Sequence, residues 1–398
     1  MNSCGGGINA GRTDKEIKVD ARKENGTMHW TFEKVFWGAK AGLDMRSVKA
    51  FLAEGYYRLP CTLFEGYYRS VSRPGDHDDL YCRINKPFPD ALLAQKPEGP
   101  FALHFSGGYD SSLLAKLYDS EEVDYIHFVG PESAKARVLA ATLKGRLHEI
   151  VMTPEVFIQE AEEVLPQLRE PYAYHDVVFA YIASKKAKEL GHSLVLTGDG
   201  GDPVFGGYNV GVDSAEAADI WKTLEPNRLL GLKTFQPLMH VVLETWSKAT
   251  LSPEERTPEK LFLRGYFREL GMPEEIVLQK KVPWAGSVGM RSDPRVVSHM
   301  RTMVDESDHR WIKEFCFAEQ PKIGLLFRQY GLVKWLEANY GKPLDKAEVQ
   351  ELTEQVHRLN AIDQAQARQE ASKARLRGLL PPVLLQPLRN VRRRLRKR

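Results

Sequence analysis

Cysteine is scarce and scattered. Cys4, Cys61, Cys82 and Cys316 lie far apart among 398 residues, with no CxxC pair and no Cys/His spacing of a zinc or iron–sulfur site. That argues against a disulfide framework and makes a reducing cytoplasm the expected location. No run approaches the ~18 consecutive apolar residues that a membrane-spanning helix needs. The N-terminus, MNSCGGGINAGRTDKEIKVD, lacks the apolar core of a secretory signal. Also missing is GxxxxGK[ST], the commonest phosphate-binding loop. Acidic residues are absent from one place only. The last 20 residues, LLPPVLLQPLRNVRRRLRKR, carry seven basic side chains and no acid, whereas the rest of the chain has 49 basic against 53 acidic residues. The body is therefore mildly acidic despite a net charge of +3, and the tail is its polybasic exception.

What is present is a large apolar complement, 42% of residues, enough for one substantial core. Residues 1–27 are Gly-rich and polar and are expected to be disordered. From 28 to 98, short aromatic-rich stretches alternate with turn signals. Between 99 and 341, apolar runs alternate with amphipathic ones: FALHF then DSSLLAKLYDSE, VDYIHFV then ESAKARVLAATLKG, LHEIVM then PEVFIQEAEEVLPQL. Such alternation predicts an α/β fold, a parallel twisted sheet with helices on both faces. Ligands of such sheets lie at the C-terminal strand ends. Residues 342–398 read as a helical extension ending in the basic tail.

Two of the predicted strands break into glycine turns. In FALHFSGGYDSS, Gly107 and Gly108 let the backbone expose N–H groups, and a helix expected to start near Ser111 aims its positive end at the same spot. Ser106, Ser111 and Ser112 add hydroxyl donors. Asp110 would repel a bare phosphate, so the pattern favours a polyphosphate carrying a divalent cation. In HSLVLTGDGGDPVFGGYN, Asp199 and Asp202 sit three apart on a turn of Gly198, Gly200 and Gly201. Two carboxylates so placed suit oxygen ligation of Mg²⁺ or proton transfer. Composition alone would equally allow a capped strand–helix turn in the first case and a plain Asp/Gly turn in the second.

The motif SGGYDSS resembles the pyrophosphate loop of the PP-loop, or N-type, ATP pyrophosphatases, which have a HUP-like sheet and cleave ATP between its α and β phosphates. The stretch from EPYAYHDVVFAYIASKKAKELG through TGDGGDPVFGGYN is similar to asparagine synthetases and the related β-lactam synthetases. The resemblance implies Asp110 and Asp202 as Mg²⁺ ligands and Asp199 as a catalytic acid or base. It also implies Ser106, Gly107, Gly108, Ser111 and Ser112 on the phosphates, backbone groups of Phe105 and Val129 at the adenine, and Thr197 and Gly198 on the ribose side. A family lysine six residues before a glycine matches Lys280 and Gly286, with Lys281 as rival. It would stabilise the negative charge of the reacting centre. Departures are Pro203 for the usual Glu, and Lys233 and Phe235 for Glu and Arg in GLKTFQPLM.

The family's glutaminase domain starts with a freed N-terminal cysteine. Here Cys4 is internal and only about a hundred residues precede SGG, so 28–98 is read as a remnant of that domain. The implied function is an ATP-dependent, AMP-forming carbon–nitrogen ligase related to asparagine biosynthesis. Its carboxylate substrate is a small molecule or carrier-linked, and its nitrogen donor is ammonia, a partner glutaminase's ammonia, or an amine. Alternatives are an intramolecular lactam or macrolactam synthetase, and a PP-loop RNA-modifying enzyme. No nucleic-acid partner is expected. The tail makes an anionic membrane surface a candidate partner, with a peripheral location at its inner face.

Overall fold

The computed structural model describes residues 15–24, 27–32, 43–54, 67–71, 88–131, 133–206, 223–239, 241–252, 254–256, 259–279, 288–317, 324–339 and 344–379. Within the segment expected to be disordered, Lys15–Glu24 (β1) forms a strand. It pairs antiparallel with Thr27–Phe32 (β2) and parallel with Tyr67–Val71 (β3). The period-2 alternation of Ile17, Val19 and Ala21 with charged neighbours is the local reason.

The centre is a five-stranded parallel sheet of Phe101–His104 (β4), Val123–Phe128 (β5), Arg146–Ile150 (β6), Leu194–Leu196 (β7) and Lys233–Phe235 (β8), in the order β6-β5-β4-β7-β8. The chain winds outward from β4 to β6, then returns past β4 to lay down β7 and β8. The strand order therefore reverses between β4 and β7. A crevice opens at such a reversal, because the connections on either side leave in opposite directions.

Alternation along buried strands feeds two cores. Ala102, Ile126, Phe128 and Val195 join Phe157, Phe179, Trp311 and Trp335 on one face. Leu103, Phe105, Tyr125 and Leu196 join Leu113, Leu114, Phe205 and Phe267 on the other. Helices thus cover both faces, as the sequence pattern requires. Each of these large side chains contributes on the order of 2 kcal/mol by burial. On the first face, Asp176–Glu189 (α6) has Val177 to Ala183 all buried, because it is covered by further helices as well as by the sheet. On the second face lie Tyr109–Tyr118 (α3), Ser133–Ala140 (α4) and Leu261–Glu269 (α9).

Of the segment 28–98, helix Met45–Glu54 (α1) packs Val48, Phe51 and Leu52 into the first core. The C-terminal helix Lys346–Leu379 (α13) docks beside it through Leu352, Val356 and Leu359, and Lys49 Nζ lies 2.8 Å from Asp363 Oδ2. Among the described residues no helix is long and apolar enough to cross a membrane. The basic tail from 380 onward lies outside them.

Candidate active site

The turn after β4 works as a cradle because Gly107 adopts φ +77°, where an L side chain is strained, and packs on Ala136 of α4. Gly108 is the extended N-cap residue, so α3 begins at Tyr109 rather than at the expected Ser111. Ser106 Oγ accepts from Gly108 N at 3.1 Å and lies 3.0 Å from Ser111 Oγ. Ser112 is fully buried and its Oγ has no hydrogen-bond partner. Ser106 and Ser111 thus brace the loop in this conformation.

The second turn meets the first. A Cβ on Gly201 would stand 2.1 Å from Asp110 Oδ1, and one on Gly198 would stand 2.9 Å from Ser111 N. These glycines are needed for contact rather than for backbone angle alone. Asp199 is buried, and its Oδ2 accepts from Thr197 Oγ1 at 2.7 Å, Thr223 Oγ1 at 2.9 Å and Gln236 Nε2 at 3.2 Å. Three donors on one oxygen orient the carboxylate. Pro203 falls in the first turn of Gly201–Phe205 (α7), where no backbone N–H is needed, and its carbonyl accepts from Arg256 Nη2 at 3.3 Å.

One residue at the centre carried no sequence signal strong enough to be predicted. Lys260 Nζ lies 2.5 and 2.6 Å from the two carboxylate oxygens of Asp110 and 2.8 Å from Asp202 Oδ1. Its side chain is 1% exposed, and its backbone sits at φ +48° as the N-cap residue of α9. Burial opposes its charge, but the two carboxylates outweigh that and raise its pKa above the ordinary lysine value. Asp110 and Asp202 therefore converge on a single cation, the ammonium of Lys260. Among the described residues no three His, Cys, Asp or Glu side chains group into a metal cage. A two-carboxylate site suits Mg²⁺, which completes its shell with phosphate oxygens and water.

Phe105 is buried, its N–H donates to Ile126 O at 2.8 Å, and its carbonyl accepts from His127 Nδ1 at 2.9 Å. His127, its pKa lowered by burial, takes the Ser133 hydroxyl on Nε2 at 2.8 Å, and Gly130 N donates to that same Ser133 Oγ. This relay braces the turn holding Val129, whose N–H is likewise given to Ile150 O. Thr197 stands at the C-terminal end of β7, its hydroxyl committed to Asp199. Lys280, Lys281 and Gly286 lie outside the described residues. Thr223 and Gln236 were missed in the sequence: Thr223 belongs to no motif, and Gln236 falls at a position of GLKTFQPLM that the family pattern leaves open.

Residues 94–259 match the family model described as asparagine synthase. An asparagine synthetase of Arabidopsis thaliana is 33% identical over 127 residues, 27% of this chain and 22% of its own length. One of Bacillus subtilis is 26% identical over 158 residues, 37% of this chain and 25% of its own. This chain thus matches only about a quarter of the length of these relatives. A structure of a predicted tRNA methyltransferase subunit from Methanocaldococcus jannaschii covers 46% of this chain and 94% of its own. Its identity is 17% and its TM-score 0.20, too low to bear on the fold.

Proposed function

We propose that this chain, whose residues 94–259 match the asparagine synthase family model, joins a carboxylate to a nitrogen nucleophile at the expense of ATP. The observation that carries the reading is the meeting of two glycine turns at neighbouring strand ends, which aims Asp110 and Asp202 at one cation. Asp110 and Asp202 would hold Mg²⁺, which would neutralise charge on the departing pyrophosphate.

A substrate carboxylate oxygen attacks the α-phosphorus, forming an acyl-adenylate and breaking the bond to the β-phosphate. Backbone N–H groups of Gly107 and Tyr109, at the positive end of α3, receive the leaving pyrophosphate. Ammonia or an amine then adds to the acyl carbon, its proton passes to Asp199, and AMP leaves with the bonding pair of the acyl–oxygen bond. Thr197, Thr223 and Gln236 fix Asp199 for that transfer. Lys280 is assigned to the oxyanion on its sequence match.

The test is ATP–pyrophosphate exchange across a panel of carboxylates, aspartate first, with ³¹P analysis of the products. Exchange that depends on one carboxylate, with AMP and pyrophosphate as products, is the expected result. Release of ADP and orthophosphate would end the proposal. Lys233 and Phe235 on β8 replace family residues beside the Asp199 cluster, which favours an acceptor other than free aspartate. The panel therefore includes substrates that carry both carboxylate and amine, and a self-ligated product from one of them would identify a lactam-forming enzyme.

A further inference from the structure

We propose that Lys260 is the resident counter-ion of the acid pair, and that it bars a divalent cation until a polyphosphate arrives with it. The inference rests on the ATP reading above and adds an order of binding to it. Its basis is which partner in the cluster can move. Asp110 is backed by Gly201, so closely that no Cβ fits between them. Asp202 is carried on the same turn, and its residue neighbours Pro203 and Gly201 are buried. The acids are therefore fixed, whereas Lys260 reaches them on four flexible methylenes.

Charge then decides the order. A divalent cation coming alone must displace the ammonium from both carboxylates, at a place where its side chain is 1% exposed. Stranding a buried charge costs about 3–5 kcal/mol. When both arrive together, the metal takes the carboxylates and phosphate oxygens take the ammonium. Linkage makes the effect mutual: metal and polyphosphate each tighten the other.

Mn²⁺, followed by electron paramagnetic resonance on the full chain, reads metal uptake without catalysis. The wild type is expected to leave Mn²⁺ free without nucleotide and to bind it at least ~100-fold more tightly with α,β-methylene-ATP, whose α–β bridge resists cleavage. Lys260→Met should bind Mn²⁺ without nucleotide roughly 10-fold or more tightly than the wild type. Should that variant not fold, the wild type still decides by thermal denaturation, where Mn²⁺ alone is expected to leave Tm unchanged and Mn²⁺ with the analogue to raise it. Tight Mn²⁺ binding by the wild type without nucleotide overturns this proposal and leaves the ATP reading standing. No binding even with the analogue overturns both.

Discussion

Two aspartate clusters sit at opposite rims of the same sheet, and they are built from opposite materials. At the N-terminal rim, Asp124 of β5 accepts from Arg146 Nε at 2.8 Å and Nη2 at 3.0 Å, from His148 Nε2 at 2.8 Å and from His192 Nε2 at 2.7 Å. One acid there is surrounded by donors from β6 and the start of β7. At the C-terminal rim, two acids, Asp110 and Asp202, meet on the ammonium of Lys260. The first cluster rides on strands. The second rides on glycine turns and is joined by a lysine on a flexible stem. Donors converging on one acid lock a fold, whereas acids converging on one flexible cation can exchange it for a ligand.

The sharpest way to break this contrast is Asp202→Asn. Removing one acid leaves Lys260 and Asp110 as a balanced pair, so stability to urea is expected to hold or rise by up to about 1 kcal/mol. Pyrophosphate release should nevertheless fall at least about 10²- to 10³-fold, as when one electrostatic element of a reacting centre is lost. A variant that loses stability and activity together would mean the C-terminal cluster is structural after all. Next in size is Asp199→Asn. Its loss should slow amide formation by about 10²-fold while ATP–pyrophosphate exchange continues, because the proton acceptor acts only after adenylation. Equal loss of both half-reactions would place Asp199 on the nucleotide instead.

The contrast also explains what was legible in the sequence. Both glycine turns and the acids Asp110, Asp199 and Asp202 are local patterns, readable because each turn packs its chemistry into a dozen residues. The alternation of strands and helices gave the sheet for the same reason. Lys260 is 150 positions from Asp110, and only one clue lay in the chain. A lysine at the N-cap of an amphipathic helix opposes the helix dipole, a local misfit that marks a residue held by something distant. Thr223, Gln236 and the Asp124 cluster likewise join residues that only the parallel crossovers bring together. The bonds that Phe105 makes to Ile126 and His127 also cross between strands, which sequence cannot show.

At the N-terminal rim, Asp124→Asn tests stability without chemistry. Burial alone would raise the Asp124 pKa, but Arg146, His192 and His148 together lower it to about 2 from an ordinary carboxylate value. A folded pKa below the unfolded one adds stability above about pH 4, lost as pH falls from there through about 2. That contribution is about 2 kcal/mol at neutral pH. Urea titrations should show the wild type losing that margin between about pH 4 and 2, and the variant lacking it at pH 7. Exchange kinetics below the melting transition should not change. A drop in exchange activity in the intact variant would tie the two rims together and spoil the division of labour.

The smallest effect is expected at Tyr109, the variable residue of SGGYDSS, which links the cradle to the second half of the site. Its hydroxyl lies 2.7 Å from Gln279 O and 3.1 Å from Val277 O, and it accepts from Arg264 Nε at 2.9 Å. Burial raises its pKa, against the pull of Arg264, so the hydroxyl keeps the proton it donates. The ring itself packs against Phe267 at 5.8 Å between centroids. Tyr109→Phe keeps that packing and removes only the hydroxyl, leaving two buried carbonyls and a guanidinium short of one partner. The cost should be about 1 kcal/mol in urea unfolding. Gln279 directly precedes Lys280, so slackening its carbonyl should lower kcat for amide formation a few-fold and leave KM for ATP unchanged. A raised KM with unaltered kcat would show that Tyr109 serves the nucleotide, and would move the boundary of the fixed region from Gln279 back to the cradle.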